Sequence, residues 1–142
     1  MENYDQLKLE NQLCFPLYAC AKGLVRQYTP FLDELGLTYT QYIAMLVLWE
    51  QGQLPVKQLG QYLHLDSGTL TPLLKKLEKS GWVNRTRGLQ DERIVQVSVT
   101  EAGLELREKA KSVPLEVASC LNLEPNESKV LYTLLYKLLH QL

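Results

Sequence analysis

LDSGTLTPLLKKLEKSGWVNR, residues 65–85, is the stretch on which the fold of this chain turns. Leu70, Leu73, Leu74 and Leu77 fall at i, i+3, i+4 and i+7, the spacing of one buried helical face. Asp66 or Ser67 supplies a capping oxygen in front of them, and Gly81 ends the run. Ser67, Gly68, Thr69, Thr71 and Lys75 are left on the opposite side. Upstream, Val56, Leu59, Gly60 and Leu63 mark a short helix over about 55–63, and the HLD tripeptide that follows reads as a tight turn. Downstream the period changes from helical to alternating: Val95, Val97 and Val99 are interleaved with Ile94, Gln96 and Ser98, a strand signal. Trp82–Arg87 is its pairing partner, with GLQDE, residues 88–92, as the tip of a hairpin.

Helix, tight turn, helix and hairpin in that order make a winged helix-turn-helix. Outside it the chain is helical. Leu9, Leu13, Leu17, Cys20 and Leu24 define a first helix over about 8–30, which Pro16 either kinks or delays. Residues 38–51 form a second helix with Thr38 as N-cap, and Thr100 caps a fifth that runs to about 122 with a bend at Pro114. Asn126 caps a sixth, carrying Leu131, Leu134, Leu135, Leu138 and Leu142. The expected class is mainly α with a small β-hairpin, one domain over residues 1–142, with a nucleic-acid-binding lobe at about 38–100.

Composition narrows the function. The 142 residues are 46% hydrophobic and 22% charged, the balance of an ordinary globule. No charged segment precedes a signal-like apolar run, and no stretch approaches the roughly 20 apolar residues of a membrane span. The expectation is a cytoplasmic protein with no membrane association, whose thiols stay mostly reduced. The net charge of −1 gives no global argument for nucleic acid. Locally, residues 66–93 carry six cationic side chains, Lys75, Lys76, Lys79, Arg85, Arg87 and Arg93, against four carboxylates. Affinity for DNA rests on such local charge. Small hydroxyl residues at the start of the second helix of the motif suit close approach to bases and phosphates. A solvated polar face is the alternative for that helix, and a basic hairpin directly behind it favours the groove. Arg85, Arg87 and Arg93 are placed to reach phosphates or a narrow minor groove, while Arg93 is also spaced to pair with Asp91.

These motifs carry a family resemblance. LDSGTLTPLLKKLEKSGWVNR followed by DER and VSVTEAG resembles the multiple-antibiotic-resistance regulator (MarR) family, and KLENQLCF, TYTQY and LWE resemble its organic-hydroperoxide-resistance branch. The resemblance covers nearly the whole chain and is weakest over 105–125. It implies a homodimer, with the N-terminal helix and the helices of 101–142 interdigitated, that represses transcription from palindromic double-stranded DNA operators. It implies neither an enzyme nor a cofactor.

The three cysteines then separate. A lone Cys on a leucine stripe is ordinarily a small buried hydrophobe, and Cys20 is read so. Residue pattern alone gives Cys14 the same reading. The resemblance assigns Cys14 instead to the peroxidatic position, whose thiolate attacks a peroxide oxygen. It implies that Tyr28 and Tyr39 of the partner subunit hydrogen-bond this thiol, with Tyr18 as a further wall; Tyr42 is the tyrosine best suited to plain packing. Cys120 falls where two-cysteine members carry a resolving thiol, the alternatives being a buried structural Cys and a low-molecular-weight thiol as resolver. A Cys14–Cys20 bridge fails on geometry, since six helical residues span about 9 Å against a limit of about 7 Å between Cα atoms. His64 and His140 are far apart and no metal-ligand spacing occurs. Organic hydroperoxide is the effector that the resemblance implies. A small phenolic ligand acting without cysteine chemistry, or a thiol peroxidase, are the competing readings.

Overall fold

The computed structural model describes residues 2–142. Two short 3-10 turns, Asp5–Leu7 and Leu9–Asn11, precede the first α-helix, α1, Cys14–Asp33. The helix therefore starts six residues later than the leucine spacing suggests. Side-chain amides take over the backbone there: Asn11 Nδ2 donates to the Asp5 carbonyl, and Gln12 Nε2 donates to the carbonyls of Gln6 and Lys8. Pro16 sits in the first turn of α1, where its missing N–H would have had no partner inside the helix, so it delays the start and causes no kink.

Helix α2, Tyr39–Gln51, is closed by a capping box: Thr38 Oγ1 accepts from the Gln41 N–H, and Gln41 Oε1 accepts from the Thr38 N–H. It buries Tyr42, Ala44, Met45 and Leu48. Gly52, at φ 76°, turns the chain into a strand the pattern did not announce, β1, Gln53–Pro55. Three residues are too few for alternation to show. Helix α3, Val56–Leu63, ends at a left-handed His64 (φ 54°). A Cβ on Gly60 would come within 2.8 Å of the Leu65 carbonyl, so the tight turn requires glycine there. Asp66 caps helix α4, Ser67–Lys79, its Oδ1 accepting from the Thr69 N–H at 2.8 Å. All four leucines of the stripe are buried. Gly81, at φ 85°, reverses the chain into β2, Val83–Arg87, which pairs antiparallel with β3, Val95–Val99. With β1 on the far side of β3, the expected hairpin is a three-stranded sheet in the order β1-β3-β2.

The single fifth helix is two: α5, Glu101–Ala110, and α6, Val113–Ser119. Proline at 114 has no N–H for the Ala110 carbonyl, so the first helix stops at Ala110 and the second begins with Pro114 in its opening turn. The last helix, α7, is Pro125–Leu139. Glu124 caps it rather than Asn126, in a box with Glu127, because Pro125 suits the first helical position.

The core lies among α2, α3, α4, the sheet and the inner faces of α5 and α6. No residue of α7 is buried, and along α1 only Leu32 is. Cys20, expected in a buried stripe, is exposed, together with its neighbours Leu13, Leu17 and Leu24 at 79%, 43% and 38%. Among the described residues of one chain, nothing covers that face.

Candidate DNA interface and thiol site

Helix α4 turns its leucines inward and thereby aims Ser67, Gly68, Thr69, Lys75 and Lys76 at solvent, with Thr71 half-buried beside them. The cap sets where this surface begins. The backbone N–H of Thr69 is the first cause of a lowered Asp66 carboxyl pKa, so the cap stays ionised at neutral pH.

The three wing arginines have different surroundings. Arg85 points back at α4: its Nη2 donates to Glu78 Oε1 at 3.1 Å and its backbone N–H to Glu78 Oε2 at 3.0 Å. Its side chain is 24% exposed and its Nε is buried without a partner, so this arginine braces the wing strand on the helix. Hydrogen bonding from Arg85 holds the Glu78 carboxyl below its usual range. Arg87 donates from Nη1 to the Glu92 carbonyl, a neutral partner, and forms no ion pair among the described residues. Arg93 forms the pair with Asp91 that its spacing allows, Nε to Oδ1 and Nη2 to Oδ2, each 3.1 Å, with its own side chain 90% exposed. The tip is tight, since a Cβ on Gly88 would lie 2.9 Å from the Asp91 carbonyl.

Cys14 is the first residue of α1, exposed, behind an N-cap (Leu13) that offers no capping side chain. Cys120 ends α6 and is also exposed, its thiol donating to the Glu116 carbonyl at 3.4 Å. Tyr28, Tyr39 and Tyr42 form one cluster, with ring centroids 5.0, 5.6 and 6.3 Å apart. Tyr42 is buried packing, the role for which it was the best-suited tyrosine. Burial, then the proximity of Tyr28 and Tyr39, pushes its phenol up to about 12. Burial followed by Tyr28 also raises Tyr39, which therefore stays a protonated donor at neutral pH. Tyr18 lies apart and exposed, with Lys22 Nζ 5.3 Å from its ring centroid. Within one chain, among the described residues, Cys14 shares no hydrogen bond with this cluster. Among the described residues no group of three or more His, Cys, Asp or Glu could hold a metal ion, and no helix is long and apolar enough to cross a membrane.

Sequence reasoning missed the Glu78–Arg85 brace and a bond from the Trp49 indole to the Gly103 carbonyl. Both join residues from different elements, and neither leaves a periodic mark.

Comparison with known proteins assigns this arrangement. The family model for the transcriptional regulator SarA/Rot matches residues 26–110. The organic hydroperoxide resistance transcriptional regulator of Bacillus subtilis is 48% identical over 100% of this chain and 97% of its own. The HTH-type transcriptional regulator SarZ of Staphylococcus saprophyticus is 44% identical over 90% of this chain and 87% of its own. AbfR, solved from Staphylococcus epidermidis, covers 96% of this chain in several states. Reduced AbfR bound to DNA superposes with TM-score 0.78 at 36% identity, covering 96% of that chain. Overoxidised AbfR bound to DNA gives 0.78, and its disulfide form 0.66 over 93% of that chain. These proteins are DNA-binding regulators rather than enzymes, and dimerisation is typical of them. The chain belongs to the winged-helix transcriptional regulators of the SarA/Rot and MarR type, in the branch of the organic hydroperoxide resistance regulators.

Proposed function

We propose that the chain is a dimeric, thiol-switched transcriptional repressor of the cytoplasm that leaves a palindromic operator when organic hydroperoxide oxidises Cys14. The observation that carries this reading is an exposed Cys14 at the start of α1, in a chain whose backbone matches DNA-bound AbfR better than disulfide-bonded AbfR. The thiolate displaces alkoxide from the peroxide, giving Cys14 sulfenic acid and, after protonation, an alcohol. The Cys120 thiol of the second subunit then condenses with it, forming a disulfide and releasing water. A low-molecular-weight thiol performs the same condensation if Cys120 does not reach.

Two further features support the assembly. The leucines exposed along α1 and α7 find cover in a second copy, which makes 8–30 and 101–142 the dimerisation region and 38–100 the DNA-binding lobe. In that dimer Tyr28 and Tyr39 of one subunit face Cys14 of the other, with Tyr18 on the rim. Ser67, Gly68, Thr69, Thr71, Lys75 and Lys76 face the major groove, and Arg87 and Arg93 face phosphates or the minor groove, with Arg85 bracing the wing from behind.

Operator binding before and after one equivalent of organic hydroperoxide, with peptide mapping of the same samples, tests the proposal. Loss of binding together with a modified Cys14 is expected. Protein that leaves its DNA with Cys14 unmodified would overturn it.

A further inference from the structure

We propose that Trp49 is a positioning residue for the switch: its indole N–H ties α2 to the first turn of α5, so that movement at the tyrosine cluster turns the recognition helix and wing as one body. The inference deepens the thiol-switch reading and rests on it. Helix α2 begins with Tyr39, inside the tyrosine cluster, and ends beside Trp49, ten residues or about 15 Å further on. Trp49 Nε1 donates to the Gly103 carbonyl at 2.8 Å, and the bond is half-buried. Among the described residues it is the one side-chain hydrogen bond that leaves α2 for another element.

Its acceptor lies where the lobe converges. Gly103 is buried so closely that a Cβ would stand 2.3 Å from the Trp82 carbonyl oxygen and 2.7 Å from Val99 Cγ2. The Gly103 N–H donates to Thr100 Oγ1, which donates in turn to the Gly81 carbonyl at 2.6 Å. The backbone N–H of Thr100 reaches the Trp82 carbonyl at 3.0 Å, and that of Val99 reaches the Gly52 carbonyl at 3.0 Å. The end of α2, the exit of α4, β2, β3 and α5 thus meet around one glycine. Apolar packing between helices is non-directional and lets one slide on another, whereas a short, partly desolvated hydrogen bond to a backbone carbonyl fixes both position and angle. The tie stays made in both states of the switch. Trp49 touches neither the oxidised sulfur nor DNA in this arrangement, and acts only through Gly103.

The test is Trp49→Phe, which keeps an aromatic ring and removes the donor, with operator affinity measured for reduced and peroxide-treated dimer and Cys14 oxidation followed by mass. Wild type that oxidises at Cys14 and keeps its operator would remove the thiol-switch reading, and this inference with it. With a responsive wild type, the expected result is normal Cys14 oxidation in Trp49→Phe, with the reduced-to-oxidised affinity ratio cut by about tenfold. An unchanged ratio would overturn the role of Trp49. If the variant folds poorly or loses the operator when reduced, hydrogen exchange of the Trp49 indole in wild type decides, its resonance assigned with Trp82→Phe. Protection in both redox states supports a persistent tie, and loss of protection on oxidation refutes it.

Discussion

The wing predicts a contrast in salt dependence between two arginines only two residues apart. Arg87 bonds a neutral carbonyl and forms no ion pair among the described residues, whereas the charge of Arg85 is already matched by Glu78. Each phosphate contact contributes about 0.9 to the slope of log affinity against log salt. A dimer has two wings, so Arg87→Ala should flatten that slope by about 1.8. Between about 50 and 200 mM salt this amounts to about a twelvefold smaller fall in affinity than wild type shows. The charge-conserving pair Glu78→Gln with Arg85→Gln should leave the slope within about 0.3 of wild type while lowering affinity at every salt concentration, because it unties β2 from α4 without removing a phosphate partner. Fluorescence anisotropy on a labelled operator duplex, titrated across that range, measures both quantities. If the double substitution flattens the slope and Arg87→Ala does not, Arg85 is the phosphate contact and the assignment of roles along the wing is wrong.

Other consequences can be checked more briefly. Cys120→Ser should oxidise at Cys14 and yet form no cross-subunit disulfide on non-reducing gels. Cys20→Ser should respond to hydroperoxide like wild type. Sedimentation at micromolar concentration should give twice the 16.3 kDa chain mass, and Leu131→Asp with Leu135→Asp on α7 should give monomers without operator affinity; a wild-type monomer would sink the assembly. The Glu78 carboxyl is held below its ordinary value near 4.5 by Arg85, so its contribution to stability is present above that value and fades as pH falls through the lower folded-state pKa. Urea midpoints across pH 3 to 7 should therefore converge for wild type and Glu78→Gln at the acid end, and equal midpoints at pH 7 would contradict the brace. Thr100→Ala removes the α5 cap and the bond to the Gly81 carbonyl, and should lower stability by about 2 kcal/mol in thermal or urea unfolding.

The leucine period of 70–77, the glycine at 81 and the alternating valines of 95–99 each act over one or two turns of chain. That is why the helix-turn-helix, the hairpin and the caps at Thr38, Asp66 and Thr100 were legible in the sequence. Local competition accounts for the boundaries that were not: side-chain amides displaced the start of α1, proline geometry split 101–122, and Glu124 took the cap from Asn126. The candidate DNA face followed from the same stripe, because the residues opposite a buried row must meet solvent. Identifying Cys14 as the candidate sensor required the family resemblance, since spacing alone gave it no distinction from Cys20. Only the tertiary structure decided what depends on residues distant in sequence. Glu78 claimed Arg85, Trp49 found the Gly103 carbonyl, β1 joined β3, and the face carrying Cys20 was left uncovered among the described residues of one chain. A periodic pattern records which side of an element is apolar, but pairing and cover are set by whichever element folds against it, and that is a property of the whole chain.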